Sequence, residues 1–114
     1  MKTLDQIPLT LNQKAALAEL RRRLSDTFDI EAIRLFGSVA RGEADGESDL
    51  DLLLITKYRL KRIVRHQITD IVFEVNLYYD TNFSTLVIDH DSWETGIFSV
   101  LPLRDEILKE GVAL

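Results

Sequence analysis

The stretch Leu50-Asp51-Leu52-Leu53-Leu54-Ile55-Thr56 constrains this chain more than any other. Successive side chains of a strand point to opposite faces, and Leu52–Ile55 is apolar at four consecutive positions. Such a strand is covered on both sides, which demands a sheet with a packed layer on each face. No apolar run in the 114 residues is longer than these four, far short of the roughly 20 residues a membrane helix needs. At 46% hydrophobic and 29% charged, the composition is that of a globular protein and the length suits one core, so a single domain over 1–114 is expected. The sequence has no cysteine, which excludes disulfides, thiolate catalysis and Cys-based zinc sites. Two histidines, His66 and His90, cannot alone make the usual structural zinc site. Met1–Thr10 carries one Lys and no apolar stretch, so neither a signal peptide nor a membrane partner is expected and the expected location is cytoplasmic.

The rest of the pattern supplies helices around that strand. Thr10 with Gln13 is a capping-box signature, and Leu17, Leu20, Leu24 and Phe28 follow at helical spacing. Ile30–Phe36 reads as a first strand ending at Gly37, Leu50–Thr56 as a second and Phe83–Asp89 as a third. Val39–Ser48 reads as a short helical turn and then a charged loop. Lys57–Asp80 fits two templates. A helix places Leu60, Ile63, Val64, Ile68, Ile71, Val72, Val75 and Tyr78 on one side, with Gln67 the only departure. A strand over Asp70–Leu77 places Ile71, Phe73, Val75 and Leu77 on one face. The helical pattern persists over nearly five turns, longer than a strand of 4–8 residues, so length favours the helix. Asp91 with Glu94 is expected to cap a helix carrying Trp93, Ile97 and Val100 that Pro102 interrupts. A last helix over Leu103–Glu110 stops at Gly111, and Val112–Leu114 is apolar enough to dock. Strands alternating with helices make an α/β or α+β domain.

Charge is unevenly spread. The net charge of −5 opposes stable nucleic-acid binding, which needs a basic face. Yet Glu43, Asp45, Glu47, Asp49 and Asp51 crowd one segment, and Lys57, Arg59, Lys61, Arg62 and Arg65 crowd the next. The basic run is either the solvated face of the helix or a surface for an acceptor or partner. Asp49 and Asp51 stand at i and i+2 of a strand opening, on one face and about 6.7 Å apart along the backbone. Two adjacent carboxylates repel unless a cation lies between them, and a hard divalent ion such as Mg²⁺ takes such oxygens while leaving positions for phosphate. Gly37-Ser38 directly follows the first strand. There glycine permits a tight bend, and backbone amides with the Ser hydroxyl can hold a phosphate. Arg41 adds a guanidinium suited to the same anion. Alone, Asp-x-Asp reads as a solvated strand end and Gly-Ser as an ordinary strand-to-helix turn. Together, Gly-Ser ending one strand and Asp-x-Asp opening the next read as a phosphate cradle facing a metal-binding carboxylate pair.

The order Gly37-Ser38-x-x-Arg41-Gly42, then Ser48-Asp49-x-Asp51-Leu52, resembles the signature of the polymerase-β-type nucleotidyltransferase superfamily. It is most similar to the small stand-alone minimal nucleotidyltransferases, sharply over Phe36–Leu53 and more loosely over the rest of the chain. The resemblance implies a small mixed β-sheet flanked by helices, the nucleotidyltransferase fold. It implies Mg²⁺-dependent transfer of a nucleoside monophosphate from a nucleoside triphosphate, ATP first, to a protein or small-molecule acceptor. Gly37, Ser38 and Arg41 would hold the triphosphate, and Asp49 and Asp51 would be the catalytic, metal-binding pair. By analogy the partner would be a HEPN-type helical protein, with this chain as the antitoxin of a toxin–antitoxin pair.

The resemblance also implies a third carboxylate on a neighbouring strand. Ser84 to Ile88 of the third strand holds no acid, and Asp89 lies at its far end. Asp70 takes the role only if its segment is a strand; in a helix Asp70 and Glu74 stack at i and i+4, which favours solvent. Two other readings therefore stand beside the enzyme. One is a catalytically degenerate binding module acting through a protein partner. The other is a homo-oligomeric scaffold whose apolar tail covers a neighbour.

Overall fold

In the computed structural model, which describes residues 3–42 and 49–114, Thr10 caps helix α1 (Leu11–Thr27) with the expected reciprocal box. The Gln13 amide donates to Thr10 Oγ1 at 3.1 Å, and the Thr10 amide donates to Gln13 Oε1 at 2.9 Å. The chain then forms strand β1 (Ile30–Phe36), strand β2 (Leu50–Thr56), helix α2 (Arg62–Tyr79) and strand β3 (Phe83–Asp89). A short helix α3 (His90–Glu94), a 3-10 turn (Ile97–Val100), helix α4 (Pro102–Glu110) and a two-residue strand β4 (Val112–Ala113) follow. Glu43, Asp45 and Glu47, which carry most of the acidic run, and Ser48 lie outside the described residues.

The sheet runs β3-β2-β1-β4. β1 is antiparallel to β2 and to β4, while β2 and β3 are parallel with α2 as the crossover. This mixed sheet flanked by helices is the expected fold class. β2 lies inside the sheet and is buried on both faces, as its unbroken apolar run requires. Leu50, Leu52 and Leu54 pack toward α1 and α2, with Leu17, Leu20, Leu24, Ile68 and Val72. Leu53 and Ile55 pack on the other face with Ile88, Trp93 and Ile107. Burying each such side chain contributes about 1.5–3 kcal/mol. Among the described residues, no helix is long and apolar enough to cross a membrane.

α2 resolves the ambiguous segment in favour of the helix. Its core face is narrower than the sequence template: Ile68, Val72 and Val75 are buried, while Ile63 and Tyr78 point to solvent. Its last turn sets the start of β3. Asn76 Nδ2 donates to the Phe83 carbonyl at 2.9 Å, and Asn76 Oδ1 accepts from the Phe83 amide at 2.9 Å and the Thr81 hydroxyl at 3.0 Å. Asn76→Ala removes all three bonds and leaves half-buried strand-end groups short of partners. Chemical denaturation is expected to show a loss of about 2 kcal/mol.

Two sequence expectations change around α3. Asp89, not Asp91, caps that helix, accepting from the Ser92 amide at 3.1 Å and the Ser92 hydroxyl at 2.8 Å. These bonds hold the Asp89 carboxyl below its usual range. Pro102 does not interrupt a helix but starts α4, where its missing amide costs nothing. The apolar tail docks, but onto its own sheet: Val112 pairs with Leu35 of β1 and is fully buried. It is therefore not free to cover a neighbour, and the scaffold reading loses its premise.

His90 ties α3 to β1 through Nδ1, 2.8 Å from Glu31 Oε2. The hydrogen bond and charge of Glu31 raise the His90 pKa above 6.5. A group that holds its proton more tightly when folded stabilises the fold below its unfolded pKa, and that stability fades as pH rises through the folded pKa. Melting temperature is thus expected to fall more steeply above pH 6.5 in the native chain than in His90→Gln.

Candidate functional site

The sheet register brings the two sequence motifs together. Phe36, the last residue of β1, pairs with Asp51, so the turn that begins at Gly37 folds beside the Asp51 carboxylate. Gly37 has φ +79°, and a Cβ built there would collide with Asp51 Oδ2. Glycine at 37 is therefore what leaves room for this carboxylate at the strand end. The turn continues with the Arg41 amide donating to the Gly37 carbonyl at 3.2 Å and the Gly42 amide to the Val39 carbonyl at 3.0 Å. Val39 and Ala40 are buried and anchor it, leaving Ser38 half-buried.

On the other side, Asp51 pairs with Ser84 of β3, and Ser84 Oγ donates to Asp51 Oδ1 at 3.0 Å. Asp51 is half-buried, while Asp49 lies just ahead of β2 and is exposed. Arg41 turns toward α4, 3.4 Å from Glu110 Oε2. A cleft lined by Phe36, Gly37, Arg41, Leu103, Glu106, Ile107 and Glu110 opens there.

Neither expected third carboxylate reaches this end. Asp70 is exposed on α2 and is not a strand residue. Asp89 pairs with Thr56 at the opposite end of β2 from Asp51 and is engaged in capping α3. The position across from Asp51 is Ser84. Among the described residues no three His, Asp or Glu side chains gather as a metal site. The exposed Lys57, Arg59, Lys61 and Arg62 follow the far end of β2, about 20 Å along the strand from Asp51. The basic run is thus apart from this site. Ser84, Glu106 and Glu110 were not visible in the sequence, because strand register and the return of α4 bring them here.

The donor set suits a hard divalent cation. Asp49 and Asp51 offer only carboxylate oxygens, and the absent Cβ of Gly37 leaves space at Asp51 Oδ2. Mg²⁺-type ions are commonly held by one or two carboxylates, with water and substrate phosphate completing the shell.

The nucleotidyltransferase domain model matches residues 17–113. Two curated Methanocaldococcus jannaschii proteins, both named as candidate protein adenylyltransferases, are similar in sequence. MJ1305 is 41% identical over 75 residues, covering 64% of this chain and 50% of that protein. MJ1379 is 41% identical over 54 residues, covering 47% of this chain and 48% of that protein. The chain spans about half the length of these curated relatives. In fold it is similar to a toxin–antitoxin crystal structure with AMP-PNP, at TM-score 0.57 and 18% identity, covering 88% of this chain and 70% of that one. It is also similar to a mutant MntA–HpeT toxin–antitoxin structure, at TM-score 0.54 and 19% identity, covering 92% and 72%. The family match extends over most of the chain and includes both the Gly-Ser turn and the Asp-x-Asp strand. The chain belongs to the nucleotidyltransferase domain family.

Proposed function

We propose that this chain transfers a nucleoside monophosphate, AMP from ATP in the first instance, to a hydroxyl of a protein or small-molecule acceptor in a cytoplasmic setting. The observation that carries this reading is the Gly37-Ser38 turn folded directly against Asp51. The turn amides and the Ser38 hydroxyl bind the triphosphate, and Arg41 offsets its charge once it shares or leaves Glu110. Asp49 and Asp51 would hold Mg²⁺, which when bound supplies neutralising charge to the phosphate oxygens. Ser84 orients Asp51 by donating to Oδ1, leaving Oδ2 toward Gly37. Transfer joins the acceptor oxygen to the α-phosphorus and releases pyrophosphate. The names of the M. jannaschii relatives support a protein acceptor. The toxin–antitoxin neighbours support an antitoxin role, and the HEPN-type partner rests on the resemblance of the Gly37–Asp51 motif to the minimal nucleotidyltransferases.

A second reading, a degenerate module that binds nucleotide and acts through a protein partner, rests on Ser84 standing where β3 faces Asp51. Thermal unfolding with ATP, with Mg²⁺ and with both tests the assembled cradle. A rise that needs both components is expected. Its absence with every common triphosphate would refute both readings of the cradle. Binding without AMP transfer to any acceptor would leave the module.

A further inference from the structure

We propose that α2 is a homodimer seam, pairing antiparallel with α2 of a second copy of this chain about a two-fold axis at position 68. Ile63, His66, Asp70, Phe73 and Leu77 are spaced 3-4-3-4, and all five are exposed. At 100° per residue they lie within about 40° of the line opposite Ile68, which is buried. This is a heptad seam on the outer side of a helix whose inner side, Ile68, Val72 and Val75, already packs on the sheet. Ile63 is 68%, Phe73 62% and Leu77 68% exposed, so the seam leaves large apolar surface in water.

The pattern fits itself in one orientation. In an antiparallel pair centred on position 68, residue 63 meets residue 73 of the other copy and residue 66 meets residue 70. Ile63 therefore packs against Phe73, and His66 lies beside the carboxylate of Asp70, each contact made twice by symmetry. The open surface formed by Arg62, Ile63 and His66 faces the Phe73 ring of the other copy. Charge points the same way. Lys61, Arg62 and Arg65 lie before the axis, while Asp70, Glu74 and Asp80 lie after it. Antiparallel pairing sets the basic start of one helix beside the acidic end of the other, and parallel pairing would stack like charges. Arg65 also donates to the Val87 carbonyl and Glu74 pairs with Arg23, so both keep these partners at the margin of the seam. The polar pair His66 and Asp70 flanking the axis fixes the register, as single polar seam positions do in coiled coils.

The test begins with light scattering of the purified chain at high micromolar concentration, where a dimer is expected. Phe73→Glu should give a monomer with unchanged far-ultraviolet circular dichroism, because the side chain it replaces is exposed. The chain lacks cysteine, so introduced thiols report orientation. Ile63→Cys and Phe73→Cys, mixed and oxidised, should form a disulfide-linked dimer, and neither variant alone should. A native chain monomeric at every concentration overturns the proposal. So does a dimer that survives Phe73→Glu, cross-linking of either cysteine variant alone, or none in the mixture.

Discussion

Asp51→Asn is expected to abolish Mg²⁺-dependent ATP binding while leaving the chain folded. Asn keeps the shape and still accepts from Ser84 Oγ, so the 3.0 Å contact survives in altered strength. What is lost is the negative charge beside Gly37. A ligand present at 100 times its Kd stabilises by about 2.7 kcal/mol. For a chain of this size that is a melting shift of roughly 10 °C, present in the native protein and absent in the variant. In metal-free buffer without nucleotide, the variant should melt at or above the native temperature, since repulsion from Asp49 is relieved. An undiminished ATP and Mg²⁺ shift in Asp51→Asn would remove Asp51 from the binding machinery.

Gly37→Ala is expected to damage both stability and binding, with Gly42→Ala as its control. Both glycines have positive φ, +79° and +75°, so alanine at either stores backbone strain of about 1–2 kcal/mol. Around Gly42 a new Cβ meets nothing within 4 Å. At Gly37 it runs into Oδ2 of Asp51. Since the Asp51 backbone is fixed between two strands, its side chain must turn away, which breaks the Ser84 bond or vacates the space beside the turn. Urea titration should therefore show up to about 1 kcal/mol more loss for Gly37→Ala than for Gly42→Ala, the worth of the Ser84–Asp51 hydrogen bond. Only the former should also lose the ATP and Mg²⁺ shift. Equal behaviour of the two would reduce Gly37 to an ordinary turn residue.

Much of this arrangement was legible in the sequence because it depends on local patterns. The unbroken apolar run gave β2 its bounds and its burial on both faces, and Thr10 with Gln13 marked the start of α1. The length of the apolar period settled α2 against the strand that also fitted Asp70–Leu77. What the sequence left open depends on register. Whether β3 offers Ser84 or an acid to Asp51 is set by the Asn76 clamp, which no periodicity reveals. Arg41 meets Glu110 across 69 positions, through the return of α4 along β1. The choice of Asp89 over Asp91 as the α3 cap was a matter of one turn: both are followed by plausible amides, and only Asp89 ends a strand in extended backbone.

The two aspartates of the Asp-x-Asp pair do not share one degree of rigidity. Asp51 has a paired strand on either side, Phe36 on one and Ser84 on the other. Its backbone is released only when the sheet opens as a cooperative unit. Asp49 lies one residue outside that ladder, exposed to water. It can change position through local fluctuation, with no strand pairing to break. In the proposed site Asp51 would serve as a fixed reference and Asp49 as an adjustable arm. Such a site would accommodate anionic ligands of different size without disturbing the sheet that holds it.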